Sequence, residues 1–328
     1  MLITSVTLLL AIIVIYYSCE LFVNGIEWVG RKFNISQCAI GTVLAAFGTA
    51  LPESVVTFVA VAFNATREQQ DIGVGAAMGG PLVLGTIAYA VVGLSIIIFR
   101  KRRELGTEID IDSHKLRKDQ LWFLSIFIFK VLLGFLVFSG KSLTALFFLV
   151  AYALYFYKEM RVECILPPEE LEPLLFQPHK TAPTTSWVLG QTLFSLILIS
   201  ASSQLFVKNL ELISGLWHIS PLVVSLLLSP LATELPEILN AVIWVRQGKE
   251  TLALGNISGS MMIQATIPSA LGIYFTPWLF DKHLMVAGGM TLISIIYLRI
   301  TLKRNKLSPH RLLYAGLFYL IFAFTFFI

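Results

Sequence analysis

Two short strings hold the residues best equipped for chemistry. Residues 49–53 read Thr-Ala-Leu-Pro-Glu and residues 233–237 read Thr-Glu-Leu-Pro-Glu, each deep within an apolar stretch. Glu53 and Glu237 therefore put a carboxylate where water is scarce. An acid at a bilayer centre costs about 2.5–3.5 kcal/mol even on the lenient insertion scale, so a symmetric pair points to function. Pro52 and Pro236 stand just before them. A proline inside a helix has no N–H to donate and clashes with the preceding turn, so the carbonyls of Gly48 and Ala232 are expected to lose their helical partners. Thr49 and Thr233 lie four residues before each glutamate on the same helical face, continued by Thr57 in one string and Asn240 in the other. An all-oxygen set of this kind suits a hard cation such as Ca2+, Mg2+, Mn2+ or Na+. The alternative is that each glutamate is a protonated or paired structural group, with Lys130 and Lys208 as the in-span partners.

A second pair of strings follows. Gly73–Gly80 reads Gly-Val-Gly-Ala-Ala-Met-Gly-Gly, and Gly255–Ser260 reads Gly-Asn-Ile-Ser-Gly-Ser. Small residues let helices approach closely. Packing is one role for these strings; helix breaking with direct coordination by Asn256 and Ser260 is the other. Glu20, Glu27 and Glu211 sit near span ends and are expected to be structural.

The elements that position these residues follow from composition. The chain has 328 residues, of which 56% are hydrophobic and 13% charged, against about 25% charged in soluble domains. Apolar stretches long enough to cross a bilayer, ~20 residues each, fall near 3–24, 36–63, 72–99, 120–139, 142–158, 187–210, 220–245, 252–275, 283–301 and 309–327. The expectation is an all-α polytopic membrane protein with ten transmembrane helices, since nothing shows the period-2 alternation of a membrane barrel. The first stretch lacks the basic flank and small-residue cleavage site of a signal peptide. With ten spans and an external N-terminus, 19 Lys and Arg fall in cytoplasmic loops and three (Arg67, Lys141, Lys282) in the opposite ones. That bias sets orientation and predicts both termini outside the cytoplasm. The basic run Arg100–Arg103 reads as a positive-inside anchor, with some contact to anionic lipid.

The two Leu-Pro-Glu strings belong to an internal repeat. Residues 21–53 and 205–237 align without gaps at a constant offset of 184, with 11 of 33 positions identical. Five spans separate the two copies, and an odd number turns the second upside down. Two inverted five-helix repeats are expected, 1–157 and 187–328, with ions bound where the repeats meet. Between them, 158–186 is a linker rich in Pro and Glu, read as a solvated loop.

These residues resemble the sodium/calcium exchangers of the calcium/cation antiporter superfamily. The family's Gly-Thr-Ser-Leu-Pro-Glu motif appears as GTALPE at 48–53 and ATELPE at 232–237; its Gly-Asn-x-x-Gly-Ser-Asn-x-x-Asn/Asp motif appears as GAAMGGPLVL at 75–84 and GNISGSMMIQ at 255–264. The resemblance implies that Glu53 and Glu237 are the principal Ca2+ ligands, that Thr49 and Thr233 add backbone carbonyls, and that alternating access exchanges Ca2+ for Na+ or H+. The departures are specific. The motif serines are Ala50 and Glu234 here. In the first half the Ser-Asn-x-x-Asn positions are Gly80, Pro81 and Leu84. In the second half Ser260 is kept, but Met261 and Gln264 replace the polar pair. The site thus loses neutral oxygens, which the family uses for Na+, and gains an acid, with Glu234 and Glu237 expected on one face. Three neighbouring carboxylates cannot all stay ionised in an apolar setting without compensating charge, which suits proton exchange for a divalent cation.

Other functions lack support. There is no His-Glu-x-x-His, Gly-x-Ser-x-Gly or phosphate-binding loop, so an enzyme is not expected. Cys19, Cys38 and Cys164 form neither a disulfide framework nor a metal-binding spacing. No resident cofactor is implied, because a bound cation would be cargo. The partners are the lipid bilayer and inorganic cations, not nucleic acid, and the small charged loops suggest a prokaryotic inner membrane. A proton-coupled transporter of another divalent cation and a non-transporting sensor or scaffold stay open, and ion flux separates them.

Overall fold

The computed structural model describes residues 2–36, 39–62, 67–161, 171–216, 224–303 and 307–326, and every regular element among them is a helix. In chain order these are α1 (Leu2–Lys32) and α2 (Ala46–Ala62), the latter entered through a π-helical stretch at Ile40–Ala45. α3 (Arg67–Val83) passes through a second π-helical stretch at Leu84–Ala88 into α4 (Tyr89–Phe99). α5 (Ser113–Leu133), a 3-10 turn at Lys141–Thr144, α6 (Ala145–Glu159) and α7 (Thr185–Leu216) follow. A third π-helical stretch, Val224–Leu228, leads into α8 (Ser229–Thr233), then α9 (Leu235–Arg246), α10 (Glu250–Phe275), α11 (Lys282–Lys303) and α12 (Pro309–Phe324).

Among the described residues, four helices are long and apolar enough to cross a bilayer: Val6–Lys32, Gly73–Phe99, Thr185–Phe206 and Lys282–Lys303. The bent pair α8–α9 makes a fifth. The remaining predicted spans are shorter or more polar. The apolar part of the second, Ile40–Ala50, and α12 are short helices. α5 opens with His114, Lys115, Arg117, Lys118 and Asp119, and α10 carries Asn256, Ser258, Ser260 and Gln264 in its length.

α10 is the centre of the molecule, with 21 of its 26 residues buried. Polar side chains can persist on a helix so enclosed because protein, not lipid, surrounds them. The outer helices show the opposite pattern. Leu10, Phe147, Leu193, Ile197, Ile300 and Leu320 are exposed, as expected where lipid meets the side chains.

Shifted by 184, the offset of the sequence repeat, the π-helical stretch Ile40–Ala45 overlaps Val224–Leu228. Each extra residue in such a turn displaces a carbonyl from its usual partner. Side chains from other helices take two of these oxygens: Tyr319 donates to Leu227 O at 2.8 Å and Ser294 to Gly85 O at 2.6 Å.

Three expectations change. α1 continues to Lys32 rather than ending near residue 24, because its last turns are clasped by neighbours. Trp244 Nε1 donates to Glu27 at 2.8 Å, and Lys249 pairs with Glu27 at 2.5 Å. Arg246 pairs with Glu20 at 2.8 Å, so both acids are structural, as expected.

The second change concerns the later part of the interhelical segment, which is docked rather than solvated. Leu174 is fully buried with Trp28 and Val188. Asn24 Oδ1 accepts the Leu175 N–H at 3.1 Å, Gln191 Oε1 accepts the Phe176 N–H at 2.8 Å, and the Glu172 carbonyl accepts the Trp28 indole N–H at 3.0 Å. The acidic residues Glu163, Glu169 and Glu170 lie outside the described residues, as do Cys38 and Cys164.

The third is Arg103. It is no lipid-facing anchor: its guanidinium is buried against Glu250, at 2.5 Å. Burial pushes the Glu250 carboxyl, at the polar start of α10, above its ordinary range, and Arg103 opposes that shift.

Candidate cation site

The second Leu-Pro-Glu string breaks the chain where it stands. α8 ends at Thr233, α9 begins at Leu235, and the two meet at 49°. Glu234 is the joint, with φ −83° and ψ 0°, outside the helical region. Pro230 and Pro236 each occupy the first turn of the helix that follows, where a missing N–H costs little. The Glu234 N–H turns back to the Pro230 carbonyl at 3.0 Å. Glu234 and Glu237 do not share one continuous face, because the break lies at Glu234 itself.

The first string behaves differently. α2 runs without interruption from Ala46 to Ala62, through position 52. No break accompanies Pro52, and the symmetry of the two strings in sequence is not symmetry of backbone. The side chains of Pro52 and Glu53 lie outside those described. Gly48 lies close to Phe22 and Leu196, whose side-chain atoms a Cβ there would meet at 3.2 and 3.1 Å. Thr49 is buried and its hydroxyl donates to Ala45 O at 3.1 Å; the Thr233 hydroxyl donates to Pro230 O at 3.2 Å. Each hydroxyl thus donates within its own helix.

Around the break, polar side chains from α9 and α10 converge in full burial. Glu234, Asn240, Asn256 and Ser260 are 0% exposed, Glu237 is 1% and Gln264 is 2%. Glu237 sits in the first turn of α9, where the helix dipole favours a negative charge. Asn256 Nδ2 donates to the Glu237 carbonyl at 3.4 Å, and the Gln264 amide donates to the Glu234 carboxylate. The Asn240 amide, Asn256 Oδ1 and Ser260 Oγ have no hydrogen-bond partner among the described residues. A buried polar atom left unsatisfied costs about 1–3 kcal/mol, and clustered oxygens of this kind form a ligand set for a cation.

The glycine strings act by proximity. A Cβ on Gly80 would meet Gln264 Cδ at 2.8 Å and Glu234 Oε1 at 2.9 Å, and one on Gly259 would meet Ala46 Cβ at 2.7 Å. α3 and α2 can therefore close on α10 at the level of the site. That is the packing role, and for Gly80 it is also what brings α3 against the acid.

A match to the sodium/calcium exchanger protein family covers residues 3–158 and 187–328. The chain belongs to that family. This exchanger is 28% identical to CaxA of Alkalimonas amylolytica, named as a presumed antiporter, over 98% of its own length and 100% of CaxA. It is 25% identical to the inner membrane protein YrbG of Escherichia coli strain K12, over 93% of its own length and 90% of YrbG. The fold is that of the sodium-calcium exchanger NCX_Mj. Against NCX_Mj soaked with 10 mM Na+ and zero Ca2+, the TM-score is 0.76 at 25% identity, with 98% of each chain covered. Family and fold place the exchanger among membrane cation antiporters and not among enzymes.

Sequence reasoning underrated two features of the exchanger. Lys130, read as a partner for a glutamate, is 0% exposed and donates to the carbonyls of Ala77 at 2.7 Å and Gln264 at 3.5 Å. Lys208 is exposed. At the start of α5, Lys115 bridges Asp119 at 3.2 Å and Glu159 at 2.5 Å, and Glu159 accepts from Thr42 at 3.0 Å. This cluster ties α5 and α6 to the entry of α2. Its members are scattered in sequence near span ends, with no spacing to single them out.

Proposed function

We infer that this exchanger carries Ca2+, or a closely related divalent cation, against protons. The observation that carries the reading is the pair of acids at the α8–α9 break. Glu234 at the joint and Glu237 in the first turn of α9 are at most 1% exposed, among unsatisfied amide and hydroxyl oxygens. Two carboxylates with neutral oxygens make a hard, oxygen-only site suited to a divalent cation. Glu53, Glu237 and Glu234 are assigned as the charged ligands. Asn256, Ser260, Gln264 and the carbonyls near Thr49 and Thr233 are assigned as neutral ones. Protons take the carboxylates on the return step, which balances the charge of the outgoing cation.

Protons are preferred to Na+ because the neutral oxygens that the family devotes to Na+ are missing. Gly80, Pro81 and Leu84 offer no side-chain oxygen on α3 and α4's approach, while Glu234 adds an acid. Alternating access follows from two inverted five-helix halves, 1–157 and 187–328, rocking about the site. Support comes from the family match in two stretches, 3–158 and 187–328, and from the π-helical stretches that overlap at the repeat offset. Counting α3–α4 and α8–α9 as one span each among the described helices is consistent with ten spans; both termini outside the cytoplasm and a prokaryotic inner membrane as the location complete the reading.

Radioactive Ca2+ uptake into proteoliposomes tests the assignment, under an imposed proton gradient and then a Na+ gradient. Uptake driven by protons and lost in both Glu53→Gln and Glu237→Gln is the expected result. Uptake driven by Na+ alone removes the proton coupling. No flux of any divalent cation under either gradient, in folded protein, removes the transport reading altogether.

A further inference from the structure

Lys130 is an ammonium sealed inside the protein, and the groups around it form a cation seat. Two of its acceptors among the described residues are carbonyls that prolines have released. Pro81 stands four residues after Ala77 in α3, and Pro268 four residues after Gln264 in α10. A helical residue at either position would have returned an N–H to that carbonyl, and proline has none. The Ser269 hydroxyl shares the Gln264 carbonyl at 3.1 Å. The ring centroids of Phe127 and Trp278 lie 5.1 and 5.8 Å from Lys130 Nζ, within the range at which an aromatic face attracts a cation. The Trp278 indole N–H donates to the Lys130 main-chain carbonyl at 3.3 Å, bracing the end of α5 that carries the side chain.

Released carbonyls within a membrane protein are the groups that strip water from monovalent ions. Here a side chain occupies them. The seat also adjoins the acids. Gln264 accepts from Lys130 through its main chain and donates to Glu234 through its side chain. We propose that Lys130 is a tethered monovalent cation: it fills, beside the acidic site, a seat that would otherwise take Na+ or K+, and so determines which ions the exchanger couples. The proposal rests on the reading of the acidic cluster as a divalent-cation site. Its consequence is a permanent positive charge that weakens divalent binding and leaves no place for a monovalent coupling ion.

The test uses purified full-length protein in detergent, free of divalent cations, with Lys130→Met to keep the stem and remove the charge. Thermal unfolding is compared in choline chloride and in NaCl. Wild type is expected to melt alike in the two salts. Lys130→Met is expected to melt lower in choline and to recover most of that loss in NaCl. Its Ca2+ affinity should rise on the order of tenfold, as a nearby unit charge is removed. Equal melting loss in both salts with unchanged Ca2+ affinity overturns the proposal and leaves Lys130 a packing residue.

Pro81→Ala and Pro268→Ala give a second measurement that holds if Lys130→Met does not fold. Replacing a proline within a helix ordinarily stabilises it. Here it should lower the melting temperature, because the restored N–H competes for the acceptors of Lys130. A rise in both variants overturns the proposal. If wild type binds no divalent cation while the Na+ recovery in Lys130→Met persists, the divalent reading fails and the seat stands.

Discussion

The side-chain amide of Gln264 donates to the Glu234 carboxylate across the α8–α9 break, joining the central helix to the joint. Any change in the charge or hydration of Glu234 is thereby felt by α10. The two residues also replace a serine and an acidic or amide residue of the family motifs. The departures noted in the sequence are thus neighbours in space and act as one substitution.

The two acids at the break should separate in their effects. Glu237→Gln is expected to reduce divalent uptake on the order of a hundredfold, the equivalent of about 3 kcal/mol. Glu234→Gln should leave divalent binding measurable but flatten the dependence of uptake on the proton gradient. Uptake measured across a series of imposed pH differences checks both. Identical losses in the two variants would show that they serve one role.

Gly80→Ala is a steric test of the same contact. Its Cβ would meet Gln264 Cδ at 2.8 Å and Glu234 Oε1 at 2.9 Å. Overpacking costs about 1–3 kcal/mol, and transport should fall more steeply than stability because the displaced atoms belong to the site. Gly289→Ala in α11, where nothing lies within 4 Å of the added carbon, should be neutral or stabilising by about 0.5–1 kcal/mol. Melting curves and uptake rates on the two variants make the comparison.

Arg103 and Glu250 form a pair with side chains only 1% exposed each. Breaking such a pair by removing one partner costs about 3–5 kcal/mol, so Arg103→Met should lower stability by that order near neutral pH. The loss should shrink under acid. Burial already raises the Glu250 carboxyl, with Arg103 pulling the other way. Without Arg103 the folded-state value rises further above the unfolded one. The folded protein then binds the proton more readily, and stability declines as pH climbs through that interval. Chemical unfolding of wild type and Arg103→Met across the acid-to-neutral range reads the difference. A pH-independent gap would show that Glu250 does not take up the proton.

Asn24 holds the docked segment. It donates to the Pro173 carbonyl at 3.2 Å and accepts from the Leu175 N–H at 3.1 Å and from Gln191 at 2.9 Å. Each such bond contributes about 0.5–1.5 kcal/mol. Asn24→Ala should release residues 171–184 from α1 and speed cleavage there in limited proteolysis several-fold, with little change in global melting. Unchanged cleavage would mean that Leu174 and Trp28 suffice to hold the segment.

The sequence alone determined the class of molecule, the membrane setting and the two acids to examine. Those conclusions rest on length, hydropathy and a repeated string. The cost of placing a carboxylate or a proline in an apolar helix is local, so it can be read from one segment. The constant offset of 184 further marked where the backbone would repeat, and the π-helical stretches Ile40–Ala45 and Val224–Leu228 overlap at it.

Only the tertiary structure decided how the charges are shared. The sequence offers Pro52 and Pro236 as equals, yet the break lies at Glu234 and α2 passes position 52 unbroken. The outcome depends on what each helix packs against. It paired Lys130 with two carbonyls supplied by prolines on other helices, one 53 and the other 134 residues away in sequence. It buried Arg103 against Glu250, although the basic run around it looked like a surface anchor. These assignments are long-range competitions for a few donors and acceptors in a dry interior. Their winners are set by which helices touch, and no local pattern in the sequence encodes that.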